Sequence, residues 1–344
     1  MKIGINGFGR IGRLVFRSLW GRPDIELVHV NDPAGDAASA AHLLEFDSVH
    51  GRWPHPVTAQ GNSFVVANAI HKPINYSKAT APSAVPWADS GVEIVLECSG
   101  KFKTAETLEP YFLNSAIKRV VVACPVKGQI AGAEALNIVY GINHQLYNES
   151  INRLVTAASC ATNCLAPVVK VIHENFGIMH GSITTMHDVT NTQVVVDCFK
   201  SDLRRARSCL QNLIPTTTGS AKAIGMIFPE LQGKLNGHAI RVPLLNASIT
   251  DAVFELKCAV TAEEVNAAFE TAANGALKGI LGYETRPLVS VDYLNDSRSA
   301  IIDGLSTMVI DGTQLKVYAW YDNEWGYSCR MADLVSYIAA AEKH

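Results

Sequence analysis

The sequence predicts an α/β chain in two parts: a doubly wound parallel sheet, followed by an α+β domain with a largely antiparallel sheet. Three observations carry this expectation. In the first third, short runs rich in Val and Ile alternate with helical stretches. They show little period-two alternation, as strands covered on both faces should. A glycine-rich turn, Gly7-Phe8-Gly9-Arg10-Ile11-Gly12, follows the first of these runs. After Cys160 the texture changes to longer strands with fewer helices. At 344 residues and 48% hydrophobic content, the chain can build two domains with a core each.

The predicted elements of the first part are strands at Lys2–Asn6, Glu26–Val30, Glu93–Glu97 and Arg119–Ala123, with a helix over Ile11–Trp20. A second helix opens at Cys160 and carries the apolar run Leu165–Ile172. Strands are then expected at Gly181–His187, Ala239–Arg241, Ala247–Leu256, Leu288–Val291 and Lys316–Trp320. Tyr327–Glu342 reads as a helix with Met331, Leu334, Val335 and Ile338 on one face. The expected domains are 1–159 with 323–344, and 160–322.

Composition excludes several classes. Charged residues are 18% and the net charge is −3, which predicts neither a nucleic-acid footprint nor a polybasic membrane patch. No run of about 18 apolar residues occurs, so no membrane-spanning helix is expected. The N-terminus enters a strand directly, which leads to the expectation of a cytoplasmic protein. The eight cysteines are scattered and read as free thiols. Cys160 and Cys164 have no second Cys/His pair at zinc-ligand spacing, so no metal site is expected.

The glycine-rich turn fits G-x-G-x-x-G. Gly7 would permit the tight turn, Gly9 the approach of backbone to a pyrophosphate, and Gly12 close helix–strand packing. The pyrophosphate would lie at the helix start, where unpaired N–H groups favour negative charge. Asp32 lies twenty residues past Gly12, at the end of the second strand. A carboxylate there bonds a ribose 2′-hydroxyl and repels a 2′-phosphate, which predicts NAD rather than NADP.

Cys160 stands where a helix begins, a position that favours a thiolate. His187 ends an apolar strand and could take the thiol proton, although a lone His on a strand reads first as a satisfied core residue. Three segments look suited to anions: Thr190-Asn191-Thr192, the arginines of Asp202–Arg207, and Thr216-Thr217-Thr218-Gly219. Arg241, on an apolar strand, is a fourth candidate because half-buried arginine calls for a partner such as phosphate. For at least one of Arg204, Arg205 and Arg207 a solvated helix face is the simpler reading.

Along essentially its whole length the chain resembles phosphorylating glyceraldehyde-3-phosphate dehydrogenases, through Asn6–Arg13, Leu43–Trp53, Ser159–Pro167, Ile183–Gln193, Asp202–Arg207, Ile214–Lys222, Leu235–Pro243 and Trp320–Ser328. The resemblance implies a Rossmann domain and a catalytic domain, with Cys160 attacking an aldehyde and His187 acting as base. It implies that Asn6, Gly7, Gly9, Arg10, Ile11, Gly12, Asp32, Ser99, Gly100 and Phe102 hold NAD, with Asn323 fixing the nicotinamide amide and Tyr327 beside it. Thr190 and Arg241 are implied to hold the phosphate of glyceraldehyde 3-phosphate. Ser159, Thr218 and Gly219 are implied to hold the attacking anion, inorganic phosphate, with Arg205 near both. A homotetramer is also implied, with the C-terminal helix returning to the cofactor domain.

The chain departs from that pattern at Ala161 (for Thr), Ala123 (for Ser or Thr), Phe199 (for Pro), His238 (for Met) and Leu244-Leu245 (for Thr-Pro). Asp36–Trp53 and Asn246-Ala247-Ser248 resemble a branch associated with arsenate resistance, in which arsenate is the attacking oxyanion and 1-arseno-3-phosphoglycerate the product. Two alternatives stand beside this reading. An erythrose-4-phosphate dehydrogenase would lack the Thr-Thr-Thr-Gly segment. A catalytically silent NAD-binding protein would have no need of Cys160 and His187.

Overall fold

The computed structural model describes residues 1–67, 73–130 and 133–342. Contacts divide the chain into two compact units, Met1–Ser159 with Ser328–His344, and Cys160–Tyr327. Asn323 and Tyr327 therefore belong to the second unit.

The first unit holds a nine-stranded sheet with Lys2–Asn6 at its centre. Glu26–Asn31 pairs with it in parallel on one side and Ile94–Glu97 on the other. Arg119–Val122, Leu154–Thr156 and Leu136–Asn137 continue the parallel pairing beyond Ile94–Glu97. Because successive crossovers leave Lys2–Asn6 in opposite directions, a crevice opens at the carboxyl ends of the central strands. Ile3, Ile5, Ile94 and Val95 are fully buried, as strands covered on both faces require. The helix Arg10–Leu19 covers one face with Leu14, Val15, Phe16 and Leu19. Phe16 packs edge-on to Phe8 and Trp53 and stacks on Trp20, which binds the Leu43–Trp53 stretch to this core.

The other edge was not foreseen. Ile74–Ser77 pairs in parallel with Glu26–Asn31, and Ser63–Val66 and Val57–Gln60 follow antiparallel. These are four-residue strands with alternating, half-exposed side chains, too short to stand out as a pattern. The helix Ala37–Glu45 was also unread; Asp36 caps it by accepting Ser39 N–H at 2.8 Å.

The tail forms the helix Trp325–Ala341, and Met331, Leu334, Val335 and Ile338 are buried. Within the first unit, Arg22 anchors it through Asp333 (2.9 Å) and Ser336 (2.9 Å), and Arg119 pairs with Glu342.

The second unit holds an eight-stranded, largely antiparallel sheet. In spatial order its path is Ile214–Thr217, Leu235–Arg241, Ile178–His187, Ser248–Leu256, Gln314–Tyr321, Ala300–Asp303 and Leu281–Glu284, with Met308–Ile310 pairing beside Gln314–Tyr321. Ile178–His187 runs parallel to Leu235–Arg241 and antiparallel to Ser248–Leu256. The helix Cys160–Phe176 packs on this unit with Cys164, Leu165, Val168, Val169 and Ile172 buried. One predicted strand is corrected: Leu288–Val291 does not form a strand. Ser290–Tyr293 is a short 3₁₀ turn closed by Asp292, which accepts Val289 N–H at 2.9 Å. Val289 and Val291 are exposed, so the apolar run lacks the burial that would hold it in a sheet. No helix among the described residues is long and apolar enough to cross a membrane.

Gly7 has φ +89°, and a Cβ there would lie 2.3 Å from the Ser99 backbone nitrogen. Gly7→Ala should therefore lower the unfolding free energy by roughly 2–4 kcal/mol, combining backbone strain with a clash against rigid main chain. Urea denaturation checks this; an unchanged midpoint would show that the turn relaxes freely.

Candidate active site

In the first unit, three glycines shape the turn after Lys2–Asn6, each for a different reason. Gly7 supplies the positive φ. A Cβ on Gly12 would sit 2.1 Å from the Gly7 carbonyl oxygen, so only glycine allows the helix to pass so close to the turn. At Gly9 a Cβ would meet nothing within 4 Å, and Gly9 precedes the helix without a side-chain cap. The turn is tight where it packs and open where a pyrophosphate would approach.

A pocket is lined by Asn6, Gly7, Gly9, Asp32, Ser99 and Phe102 among the residues expected to hold the cofactor. It is also lined by Pro33, Ala34, Ala79, Thr80, Cys98 and Lys101, which have no motif to announce them. Arg10, Ile11, Gly12 and Gly100 do not line it. Arg10 pairs with Asp47, whose carboxylate also accepts Val49 and His50 N–H at 2.9 Å. Asp47 is held well below the usual carboxylate range: burial opposes ionisation, but Arg10 and those two N–H groups outweigh it. Asp32 accepts Phe8 N–H at 2.7 Å and Ala34 N–H at 2.9 Å, one on each oxygen. Each oxygen keeps a lone pair for a ribose hydroxyl, so Asp32 can brace the turn and read a ligand at once.

Beneath the pocket lies a buried polar network that sequence reading missed. Asn6 donates to Glu97 (2.7 Å) and Tyr111 (2.6 Å), and accepts from Asn31 (2.7 Å). Ser99 N–H and Tyr111 O–H donate to Glu97. Burial pushes the Glu97 carboxyl up, against the pull of Ser99, Tyr111 and Asn6. Asn6 thus serves as a structural hub as well as a lining residue.

In the second unit, Cys160 is the first residue of its helix and is partly exposed. The turn before it includes Ala158 at φ +52°, a strained conformation for a residue with a Cβ. His187 is the last residue of Ile178–His187, and the parallel register sets it opposite Arg241. Cys160 Sγ lies 3.6 Å from His187 Nε2. At Nδ1, the ring meets the Asp188 carboxylate at 2.8 Å, the Asp188 carbonyl at 3.0 Å and Arg241 Nη1 at 2.7 Å. Arg241 Nη1 can only donate and competes for an Nδ1 lone pair, but the Asp188 carboxylate and carbonyl both call for a proton on Nδ1, the tautomer that turns the Nε2 lone pair toward the thiol. Burial pulls the imidazolium down, yet Asp188 and Cys160 outweigh it and raise His187 to about 9. Cys164, one turn further along the helix, is buried against Thr250 and Ala319, and burial pushes its thiol up to about 12. The two cysteines of one helix are therefore chemically unlike.

Asp188 was missed, though an Asp directly after a strand-end His was a legible signal. It is fully buried and binds three neighbours: His187, Asn323 Nδ2 (2.9 Å) and, through its own N–H, Ser248 Oγ (3.2 Å). Ser248 Oγ also donates to Asn323 Oδ1 at 3.0 Å, so both ends of the Asn323 amide are fixed. Tyr327 is buried.

The anion candidates separate. Arg205 donates to Thr192 at 3.1 Å, and Thr192 is 2.8 Å from Thr190, so these segments meet. Arg207 pairs with Asp197 on the surface, and Arg204 reaches the Pro215 carbonyl. The Asp202–Arg207 stretch is a series of turns, not a helix. Burial, then Arg205, lowers the Arg241 pKa. Thr218 Oγ1 is 2.9 Å from Ser220 Oγ, and Gly219 precedes the helix Ser220–Ile227 with open space where a Cβ would be. Ser159 falls in the first unit. Among the described residues no group of three or more His, Cys, Asp and Glu is placed to hold a metal ion.

A dinucleotide crevice in one unit and a thiol–imidazole pair in the other define a class: nicotinamide-dependent dehydrogenases that work through a cysteine. Comparison with known proteins gives the family. Residues 1–105 match the glyceraldehyde 3-phosphate dehydrogenase NAD binding domain, and residues 159–323 match the C-terminal domain of the same family. The chain is 58% identical over 344 residues to glyceraldehyde-3-phosphate dehydrogenase 3 of Nostoc, covering 100% of this chain and 99% of that one. It is 50% identical over 340 residues to glyceraldehyde-3-phosphate dehydrogenase of Geobacillus stearothermophilus, with 99% and 98% covered. Against glyceraldehyde-3-phosphate dehydrogenase 1 of Bacillus cereus the identity is 48% over 339 residues, with 98% of each covered. The chain belongs to the glyceraldehyde-3-phosphate dehydrogenase family.

Two outcomes follow from the geometry. At neutral pH a thiol alkylating agent should modify Cys160 at least about tenfold faster than Cys164; peptide mapping that found Cys164 labelled first would reverse the assignment. The His187 proton is held more tightly folded than unfolded, where its pKa is near 6.5. Its contribution to stability is then complete below about pH 6.5 and lost as pH rises to about 9. The loss is on the order of 3 kcal/mol. His187→Gln should flatten the fall in unfolding free energy over that window.

Proposed function

We propose that this chain oxidises D-glyceraldehyde 3-phosphate with NAD and passes the acyl group to an inorganic oxyanion, phosphate or arsenate. The product is 1,3-bisphosphoglycerate or 1-arseno-3-phosphoglycerate. The observation that carries this reading is the Cys160–His187 pair, 3.6 Å apart, with Arg241 beside the imidazole. Cys160 Sγ adds to the aldehyde carbon as a thiolate, its proton held at His187 Nε2. As the adduct forms, His187 returns that proton from Nε2 to the new alkoxide oxygen, and it takes the hydroxyl proton back as the C–H bond breaks. NAD, when bound, supplies the hydride acceptor. The acyl group left on Cys160 is a thioester, open to attack by the oxyanion. Asn6, Gly7, Gly9, Asp32, Ser99 and Phe102 would hold the cofactor, and the open side of Gly9 supports a pyrophosphate there. Thr190, Arg205 and Arg241 would carry the substrate phosphate. Ser159, Thr218 and Gly219 would carry the attacking anion.

We read the protein as a cytoplasmic homotetramer. Val195, Val196, Phe199 and Leu203, on one segment, are 63–105% exposed, an apolar surface that suits a second copy of this chain.

NADH absorbance tests the reading. Wild type should reduce NAD only with aldehyde and oxyanion present, and Cys160→Ser should lower kcat roughly a thousandfold or more. No turnover of this aldehyde by wild type would overturn the assignment. Asp32→Ala should shift preference toward NADP by about ten- to a hundredfold, with some loss of stability because two backbone N–H groups lose their acceptor. Ala161→Thr adds a hydroxyl one residue after the nucleophile and should lower the half-saturating phosphate and arsenate concentrations by roughly ten- to a hundredfold. Unchanged values for both anions would remove Ala161 from the anion site.

A further inference from the structure

The catalytic pair has an electrostatic difficulty. To hold the thiol proton, His187 must become an imidazolium, yet Arg241 Nη1 stands 2.7 Å from its Nδ1. Two cations at that distance repel strongly in a buried site. Arg205 adds to the positive field around Arg241. On the other strands, Tyr321 faces the ring at 6.2 Å between centroids, and Cys160 faces it from its helix. Glu324 lies near enough to Asp188 to act on its charge. Of these groups, only Asp188 places a carboxylate oxygen against the ring nitrogen itself, at 2.8 Å. That oxygen also accepts Asn323 Nδ2 at 2.9 Å, while Asp188 Oδ2 is buried without a hydrogen-bond partner among the described residues.

We infer that Asp188 is a positioning residue of this reaction centre, its carboxylate setting the His187 tautomer, offsetting Arg241, and holding the Asn323 amide in the same grip. The inference rests on the reading of Cys160 and His187 as nucleophile and base. The thiol proton passes from Cys160 Sγ to His187 Nε2. The Nδ1 proton stays on the ring, bonded to Asp188, which remains a carboxylate. An Asp188 carbonyl alone, at 3.0 Å, could set the tautomer but carries no charge to balance the guanidinium. The unpartnered Oδ2 is what such a role costs. A carboxylate satisfied on both oxygens would be a weaker base toward Nδ1.

Asp188→Asn preserves shape and removes charge. The His187 titration, followed by NMR on imidazole-labelled protein without substrate, should move down by about one to two pH units. Cys160 alkylation at pH 7 should slow by about tenfold. With aldehyde and NAD, kcat should fall about ten- to a hundredfold while KM for the aldehyde changes little, because Asp188 touches no substrate. An unmoved His187 titration with an unchanged alkylation rate would overturn the inference, whatever the substrate proves to be. A shifted titration in a protein that turns over no glyceraldehyde 3-phosphate would uphold Asp188 and reject the proposed activity. Should Asp188→Asn not fold, wild type supplies the test: the Nδ1 proton should resonate far downfield, as carboxylate-bonded imidazole protons do, and persist toward pH 9. Its absence at neutral pH would also overturn the inference.

Discussion

The second unit is organised around one juxtaposition, a histidine and an arginine set opposite each other at the ends of two parallel strands. In the proposed reaction a phosphorylated aldehyde calls for a cation beside its phosphate and a base beside its carbonyl, a few ångströms apart. Parallel pairing sets Arg241 and His187 at such a spacing, and it also brings an imidazole that would gain charge against a group that already has it. The thiol on one side and the carboxylate on the other make the arrangement tenable. The helix that begins at Cys160 and the Asn323–Ser248 contacts are the surroundings that keep these charges in register.

The first unit meets the same kind of constraint with neutral donors. Asn6, Asn31 and Glu97 end three adjacent parallel strands, with Asn6 in the centre as register partner of each of the other two. Their side chains bond together beneath the pocket floor, with Tyr111 closing the group. A buried carboxyl is costly unless several donors converge on it, and convergence is possible only if all three strands stop at the same level. The network therefore fixes where the sheet ends, and so where the glycine turn and Ser99 stand.

Much of this was legible in the sequence because it is local. Lys2–Asn6, Glu26–Asn31 and Arg119–Val122 declare themselves by short runs rich in Val and Ile, and Gly7, Gly9 and Gly12 by spacing. Cys160 and His187 could be named singly, yet their meeting depends on a 27-residue loop closure that no local pattern encodes. Arg207 could not be told from Arg205 by composition; in the fold Arg205 reaches Thr192 while Arg207 pairs with Asp197 on the surface. Leu288–Val291 had strand-forming residues, but only Leu288 packs on a core while Val289 and Val291 face solvent. Asp188, directly after the strand-end His187, was legible as a partner for the imidazole; that it also faces Arg241 depends on the neighbouring parallel strand, which no local pattern encodes.

Arg10 occupies the first position of the helix where a dinucleotide's pyrophosphate would lie, yet its guanidinium is committed to Asp47, and Arg13 donates to the Phe8 carbonyl. The cradle therefore presents a helix start and backbone donors whose neighbouring arginines are neutralised or turned inward. Attraction of that kind is short-ranged and carries little of the long reach of a free charge. At the turn itself, capture of a pyrophosphate should accordingly depend on contact geometry more than on ionic strength.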